Sequence, residues 1–210
     1  MSSTKRGSKR SPADNYPTPA WVVHRLLEEV ALPNGRWLEP GVGNGDIVRA
    51  VREKRPDVQF TGFDIRNTKF IKNATPGYDE FFVGNLLKPE GRLLELLEEP
   101  LPLWDVSIGN PPFRLAAEFI DFSLKRARTV AMLLRLNYLG SDMRAEFMHA
   151  RCPDVFVLPN RPSFRPSKRG LLTTDSIEYA WFLWPEDRDR SEGRLKVLKT
   201  TPKEERRGRA

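Results

Sequence analysis

Apolar positions along the chain alternate between two spacings. Val22, Val23, Leu26, Leu27 and Val30 fall three or four residues apart and mark one face of a helix. Thr18-Pro19 predicts its start, with a hydroxyl placed to cap and then a residue whose missing N–H costs nothing at the first helical position. Asn34-Gly35 ends it, and Arg36 to Glu39 follows as a short strand that runs into Pro40-Gly41-Val42-Gly43-Asn44-Gly45. Ile47, Val48 and Val51 carry a second helix to its stop before Pro56. Strands are then predicted at Val58 to Ile65, Phe81 to Val83, Trp104 to Gly109, Thr129 to Leu134, Val155 to Leu158 and Ile177 to Trp184. Helices are predicted between them at Leu93 to Glu99, Leu115 to Ala127 and Ser141 to Ala150. Trp181 and Trp184 read as core residues of the last strand. Strand–helix alternation that closes on a strand pair predicts an α/β three-layer fold with a mainly parallel sheet.

Composition narrows the field. The chain has 210 residues, enough to bury a sizeable core in one domain. No apolar run approaches the ~18 residues of a membrane span, and no secretory signal follows the polar, basic start. One cysteine, Cys152, rules out an internal disulfide, and with only His24 and His149 beside it no metal site is expected. The expected setting is a reducing cytoplasm. The net charge of +7 lies at the two ends. Residues 1–13 carry Lys5, Arg6, Lys9 and Arg10 with no acid, and residues 194–210 carry seven cations against Glu204 and Glu205. The expected organisation is therefore a catalytic domain over 14–193 between two basic, unstructured tails. Such tails suit phosphate contact through counterion release, and they suit solubilisation equally.

Two motifs carry chemistry. The first is the glycine turn, where backbone without side chains can approach a bound nucleotide closely. Its Gly-x-Gly-x-Gly spacing differs from the dinucleotide fingerprint. Glu39 stands before it, suited to a cationic ligand rather than a pyrophosphate, and Asp64 ends the second strand about 20 residues on, where a carboxylate takes ribose hydroxyls. The alternative is a tight turn with a solvated acid. The second motif, Asn110-Pro111-Pro112-Phe113, ends the fourth strand at the crevice where such sheets bind ligands. Consecutive prolines stiffen the chain and remove two donors. The Asn110 side-chain oxygen and the Pro111 carbonyl can then converge on one amino group while Phe113 offers a flat face to a planar base. Two acceptors on its hydrogens favour the pyramidal, nucleophilic form of an exocyclic amine. A rigid turn with a core phenylalanine is the alternative.

Leu38 to Gly45, Gly62-Phe63-Asp64-Ile65 and Asn110-Pro111-Pro112-Phe113 together resemble the motifs of amino-directed N6-adenine DNA methyltransferases. Tyr16-Pro17-Thr18-Pro19 resembles the Tyr-x-Thr-Pro element that begins many DNA members, and the motif order is that of the gamma class, most like stand-alone phage enzymes. The likeness runs from about Asn15 to Trp184. It implies a Rossmann-like S-adenosylmethionine-dependent methyltransferase fold, three-layered, with a mainly parallel seven-stranded sheet and a final antiparallel strand. It implies S-adenosylmethionine as cofactor, held by Tyr16, Thr18, Pro19, Glu39, Gly41, Gly43, Asn44, Asp64 and Ile65. Asn85 and Leu86 stand where many members place an acid after strand three, and an amide oxygen can accept the same hydrogen bond. Asn110, Pro111, Pro112 and Phe113 would hold the flipped adenine. Asn-Pro-Pro-Phe is shared with RNA adenine methyltransferases, and Asn-Pro-Pro-Tyr with enzymes that methylate a glutamine amide in protein. The Tyr-x-Thr-Pro element and the tails favour DNA as the partner over RNA.

The loop before the last strand places Arg161, Arg165, Lys168 and Arg169 around Phe164, a pattern suited to phosphate contact and base stacking and also to a solvated hairpin. Larger relatives carry a separate recognition domain after the catalytic one. Here the base-reading candidates are residues 160–174 and 137–151. That implies a short or degenerate target, or specificity lent by a homodimer partner or accessory subunit.

Overall fold

In the computed structural model, which describes residues 17–66, 77–91, 95, 97, 104–164, 176–187 and 189–206, strands and helices alternate as their apolar spacing predicts. The order is α1 (Ala20–Glu29), β1 (Arg36–Glu39), α2 (Asp46–Lys54), β2 (Gln59–Asp64), β3 (Glu80–Val83), β4 (Trp104–Gly109) and α3 (Ala116–Arg126). There follow β5 (Ala127–Arg135), α4 (Asp142–Ala150), β6 (Asp154–Val157), β7 (Tyr179–Trp184), β8 (Leu195–Val197) and α5 (Lys203–Arg206). Single 3-10 turns stand at Phe113–Leu115 and Leu136–Leu139. The helix expected over Leu93–Glu99 lies mostly outside the described residues, although Glu95 and Leu97 are helical.

All the strands join one sheet, in the order β3-β2-β1-β4-β5-β7-β6-β8. Side chains alternate between its faces, and both faces are covered. Trp37, Phe60, Val106, Ile108, Leu133 and Trp181 pack on one side with Val22 and Leu26 of α1 and Ile47 and Val51 of α2. Leu38, Phe63, Val130, Met132, Phe182 and Trp184 pack on the other with Phe119 and Ile120 of α3. Two-sided burial is why β5 and β7 read as nearly continuous apolar runs, whereas β4 alternates apolar residues with small or polar ones. Trp181 and Trp184 are core residues as expected, and their indole N–H groups donate to the carbonyls of Val22 and Arg151, at 3.0 and 2.9 Å. Burial without those acceptors would cost each indole a hydrogen bond.

Among the described residues the sheet has eight strands, one more than expected. The antiparallel strand is β7, the last of the strands expected from the sequence; it lies between β5 and β6 and is antiparallel to both. The additional strand, β8, pairs parallel with β6 and belongs to the segment expected as a basic tail. Every β8 residue is exposed, so the short Leu195-Lys196-Val197 alternation marks no buried face. What holds it is charge and local burial. The Asp154 carboxylate is fully buried and accepts from the Arg194 backbone N–H at 2.7 Å, from the Arg194 guanidinium and from Arg190. Lys196 pairs with Glu29, and Leu198 and Thr201 are buried beyond the strand. Among the described residues, no helix is long and apolar enough to cross a membrane, and no side-chain group could hold a metal ion.

Burial pushes the Asp154 carboxyl up, but its hydrogen bonds with Arg194 and its pairing with Arg190 and Arg194 outweigh that and hold it below the ordinary aspartate range. A carboxylate depressed in the folded state stabilises above its unfolded pKa of about 3.9, and that stability is lost as pH falls through the folded value. Asp154→Asn is therefore expected to lower stability at pH 7 by about 1.5–3 kcal/mol, the worth of hydrogen bonds to a charged group. Its difference from the parent should shrink below about pH 4. Urea denaturation across pH reads this directly, and a pH-independent difference would contradict the assignment.

Candidate functional site

Strand order reverses between β1 and β4, and these two neighbours pair in parallel with Trp37 opposite Val106 and Leu38 opposite Ser107. Their carboxyl ends are thus adjacent, and each continues into one of the two sequence motifs. Ligands in open α/β sheets bind in the crevice at this switch point.

The glycine turn is built on backbone conformations that suit glycine. Gly43 and Gly45 have positive φ, 60° and 74°, and Gly45 stands directly before α2. Gly41 serves packing instead, since a Cβ there would lie 3.2 Å from the Phe119 ring. The turn is fastened to β2 by the Val42 N–H donating to the Phe63 carbonyl and by the Gly43 N–H donating to Asp64 Oδ2 at 2.8 Å. Asn44 contributes its carbonyl, which accepts from Arg49 at 2.7 Å.

Asp64 is 7% exposed and heavily engaged. Besides Gly43, the Arg66 backbone N–H donates to Oδ1, and the guanidinium spans both carboxylate oxygens at 2.9 and 3.1 Å. The hydrogen bond to Asp64 holds the Arg66 guanidinium above its ordinary pKa. Arg66 was not marked by the sequence reading; its place two residues after a strand-ending acid is the signal that could have found it. Ile65 between them is apolar yet 66% exposed. Asn85 uses Oδ1 to accept from the Leu87 N–H at 3.0 Å, and Leu86 is buried in the α3-side core.

Glu39 is 1% exposed, and Tyr78, another residue missed in the sequence, donates its hydroxyl to Oε2 at 2.5 Å. Burial is the main cause that pushes the Glu39 carboxyl well above the glutamate range, and Asp46 adds to it. Burial and the neighbouring Glu39 raise the Tyr78 hydroxyl in turn. Tyr78 reaches Glu39 because Gly62 lacks a side chain; a Cβ there would lie 2.7 Å from the Tyr78 ring.

Asn110 follows β4 directly, and its Nδ2 donates to Thr18 Oγ1 at 3.1 Å. Thr18 is therefore not the cap of α1. Pro19 occupies the cap position without a side-chain hydrogen bond, and the buried Thr18 hydroxyl is spent on Asn110. The Thr18 backbone also hydrogen-bonds Asp46 at the start of α2, so one residue ties both motifs together. Pro111 is buried, and the Pro112 carbonyl accepts from the Leu115 N–H at 2.8 Å, which opens the 3-10 turn at Phe113. Phe113 is partly buried, with the Arg135 guanidinium 4.1 Å from its ring centre and the Tyr179 ring 6.1 Å away.

The nucleic-acid candidates divide. Phe164 is 5% exposed and packs edge-on against Tyr179 at 4.8 Å, so it serves the core and has no open face for a displaced base. Arg161 is exposed and pairs with Glu178. Tyr16, Arg165, Lys168 and Arg169 lie outside the described residues.

The layers, the strand order and the reversed β7 are those of the Rossmann-like methyltransferase fold. Precorrin-6y C5,15-methyltransferase from Geobacter metallireducens GS-15 superposes with a TM-score of 0.52 at 15% identity, over 83% of this chain and 93% of its own. The human methyltransferase 10 domain containing protein gives 0.50 at 14% identity, over 80% of each chain. The 23S rRNA methyltransferase ErmE gives 0.49 at 15% identity, with 78% of this chain spanning 66% of its length. At these identities the first two likenesses establish the fold and nothing finer. No protein-family model and no curated protein matches the sequence.

The buried Glu39 gives the site a pH signature. A carboxyl raised in the folded state is held protonated there more tightly than in the unfolded chain, so its contribution to stability fades as pH rises above the ordinary glutamate value of about 4.3. Glu39→Gln has no proton to lose. Its stability relative to the parent should therefore increase with pH from about 4.3 upward, read from thermal midpoints between pH 4 and 8. A constant difference would mean that Glu39 ionises as an exposed glutamate does.

Proposed function

We propose that the chain is an S-adenosylmethionine-dependent methyltransferase acting on the N6 amino group of adenine in nucleic acid. The observation that carries this reading is the hydrogen bond from Asn110 to Thr18 beside the glycine turn. It engages the donor end of the amide with Thr18, and the acceptor end is the atom that would receive an amine hydrogen. Such an acceptor, beside a stiff proline pair and one strand from a nucleoside-type crevice, suits an sp² amino nitrogen.

The residues present fit the cofactor. Asp64 offers a carboxylate at a strand end for ribose hydroxyls, Ile65 offers exposed apolar surface to a purine, and the left-handed Gly43 lets backbone come close. When bound, S-adenosylmethionine supplies an electrophilic methyl group on a sulfonium. Arg66 covers the Asp64 carboxylate and must move aside for a ribose to reach it. Glu39, buried and tied to Tyr78, supports the turn from beneath rather than offering an exposed anion. Asn110 and the Pro111 carbonyl would accept the two hydrogens of the target amine and draw its lone pair out of conjugation. Phe113 would bound the base on one side.

RNA fits the site as well as DNA does. The basic C-terminal segment, one of the arguments for DNA, spends Arg194 on Asp154 and Lys196 on Glu29. Transfer of labelled methyl from S-adenosylmethionine to DNA, RNA and protein in parallel decides the polymer. N6-methyladenine in either nucleic acid supports the reading, and label confined to protein amide overturns it.

Residue roles separate in the same assay. Asp64→Ala should weaken S-adenosylmethionine binding by about 1.5–3 kcal/mol through lost hydrogen bonds to a charged group. Arg66→Ala should tighten it by removing a competitor, both by calorimetry. Asn110→Ala should keep cofactor affinity while methyl transfer falls at least about a hundredfold, the scale for losing one preorganised catalytic hydrogen bond. Near-parental turnover in Asn110→Ala would remove Asn110 from the chemistry.

A further inference from the structure

A second recess opens beside Phe113, where β5 ends. It encloses about 340 Å3, and its walls include Phe113, Arg135, Asn137, Tyr138, Ser141 and Arg144. Asn110, Thr18, Glu39 and Asp64 do not line it. It shares one wall with the catalytic motif and is otherwise separate.

Its two cations are held in place by stacking. Arg135 lies over the Phe113 ring at 4.1 Å, and Arg144 lies over the Tyr138 ring at 4.3 Å and donates Nε to the Tyr138 carbonyl at 2.9 Å. Arg135 Nε is buried and has no hydrogen-bond partner among the described residues. No described carboxylate lines the recess. Glu118 is felt at Tyr138 from α3, and Asp142 stands exposed at the start of α4. A partly desolvated guanidinium with an unsatisfied donor is costly unless an anion arrives to pair with it. Each guanidinium is flat, already stacked on one side, and therefore preorganised to take a phosphate by its edge or a base by its plane. The α4 helix rests on the core through Phe147, whose ring lies 6.2 Å from that of Trp184, and its other end brings Arg144 to the rim.

We propose that this recess binds the nucleotide adjacent to the target adenine, with Arg135 and Arg144 on the phosphate that joins the two. The proposal rests on the nucleic-acid reading of the Asn110 motif and adds a neighbouring subsite to it. Phe113 then separates two nucleotides, the target toward Asn110 and its neighbour toward Arg135. Context preference beside the adenine would arise from residues 137–144.

The test uses pyrimidine oligonucleotides with one adenine, in the sugar form that accepts methyl, carrying a neutral methylphosphonate at the linkage on one side of the adenine or the other. Binding is read by fluorescence anisotropy with S-adenosylhomocysteine present, so turnover is not required. The parent should lose roughly tenfold in affinity when one of the two linkages is neutral and little when the other is. Arg144→Gln should lose about the same on the charged oligonucleotide and nothing further on the neutral one, with its salt slope reduced by about one. Arg144→Lys should retain part of the slope, and unchanged thermal midpoints and cofactor affinity show that both variants fold. A parent indifferent to both linkages, or an Arg144→Gln loss that adds to the linkage loss, overturns the subsite. Methyl transfer to adenine continuing under either result leaves the functional reading standing, whereas its absence from all nucleic acid removes that reading.

Discussion

The parallel pairing of β1 with β4 sets two chain ends side by side that are about 70 residues apart in sequence. All of the candidate chemistry hangs on that pairing. A crossover of parallel strands requires helices on the sheet faces, and α1, α2 and α3 supply them from both sides. The crevice therefore has rigid strand ends for its floor, with Glu39 and Asp64 as the last residues of β1 and β2 and Asn110 directly after β4. Thr18 completes the arrangement from outside the sheet by joining Asn110 to the start of α2.

Charge is distributed along the site in a graded way. Glu39 is buried and drawn towards its neutral form beside Tyr78, Asp64 is buried but tied to Gly43 and Arg66, and Arg135 and Arg144 hold the far side without an acid between them. A nucleoside cofactor would meet hydrogen-bonding carboxylate at one end of the crevice, and a polyanionic strand would meet cations at the other. The Asn110-Pro111 segment itself carries no charge. A neutral acceptor pair suits an amine that must stay unprotonated to react.

Ion pairing also extends the fold beyond its apolar core. Asp154, with no exposed surface, holds Arg190 and Arg194 and so positions β8. The desolvation of one carboxylate is offset by several hydrogen bonds to it, the condition under which buried charge is tolerated. The same segment is what the net charge alone marks as a tail.

Local pattern determined most of the architecture. Period-3.6 spacing marked α1 to α3, alternation marked β4, and continuous apolar runs marked β5 and β7, because each turns its apolar positions into the core. The glycine turn was legible because positive φ at Gly43 and Gly45 is a local backbone demand, and Asn110-Pro111-Pro112-Phe113 because stiffness is written into consecutive prolines. Tertiary structure alone decided the rest. β8 buries no face of its own, and its place depends on Asp154, 40 residues upstream of Arg194. Phe164 looked like a stacking aromatic amid cations, but burial against Tyr179 is a property of the packed core. Thr18 looked like a helix cap, yet its hydroxyl bonds a side chain 92 residues away. Tyr78, Arg66, Arg135 and Arg144 carry no motif, and each acquires a role through the group that folding sets against it: a carboxyl, a carboxylate or an aromatic ring.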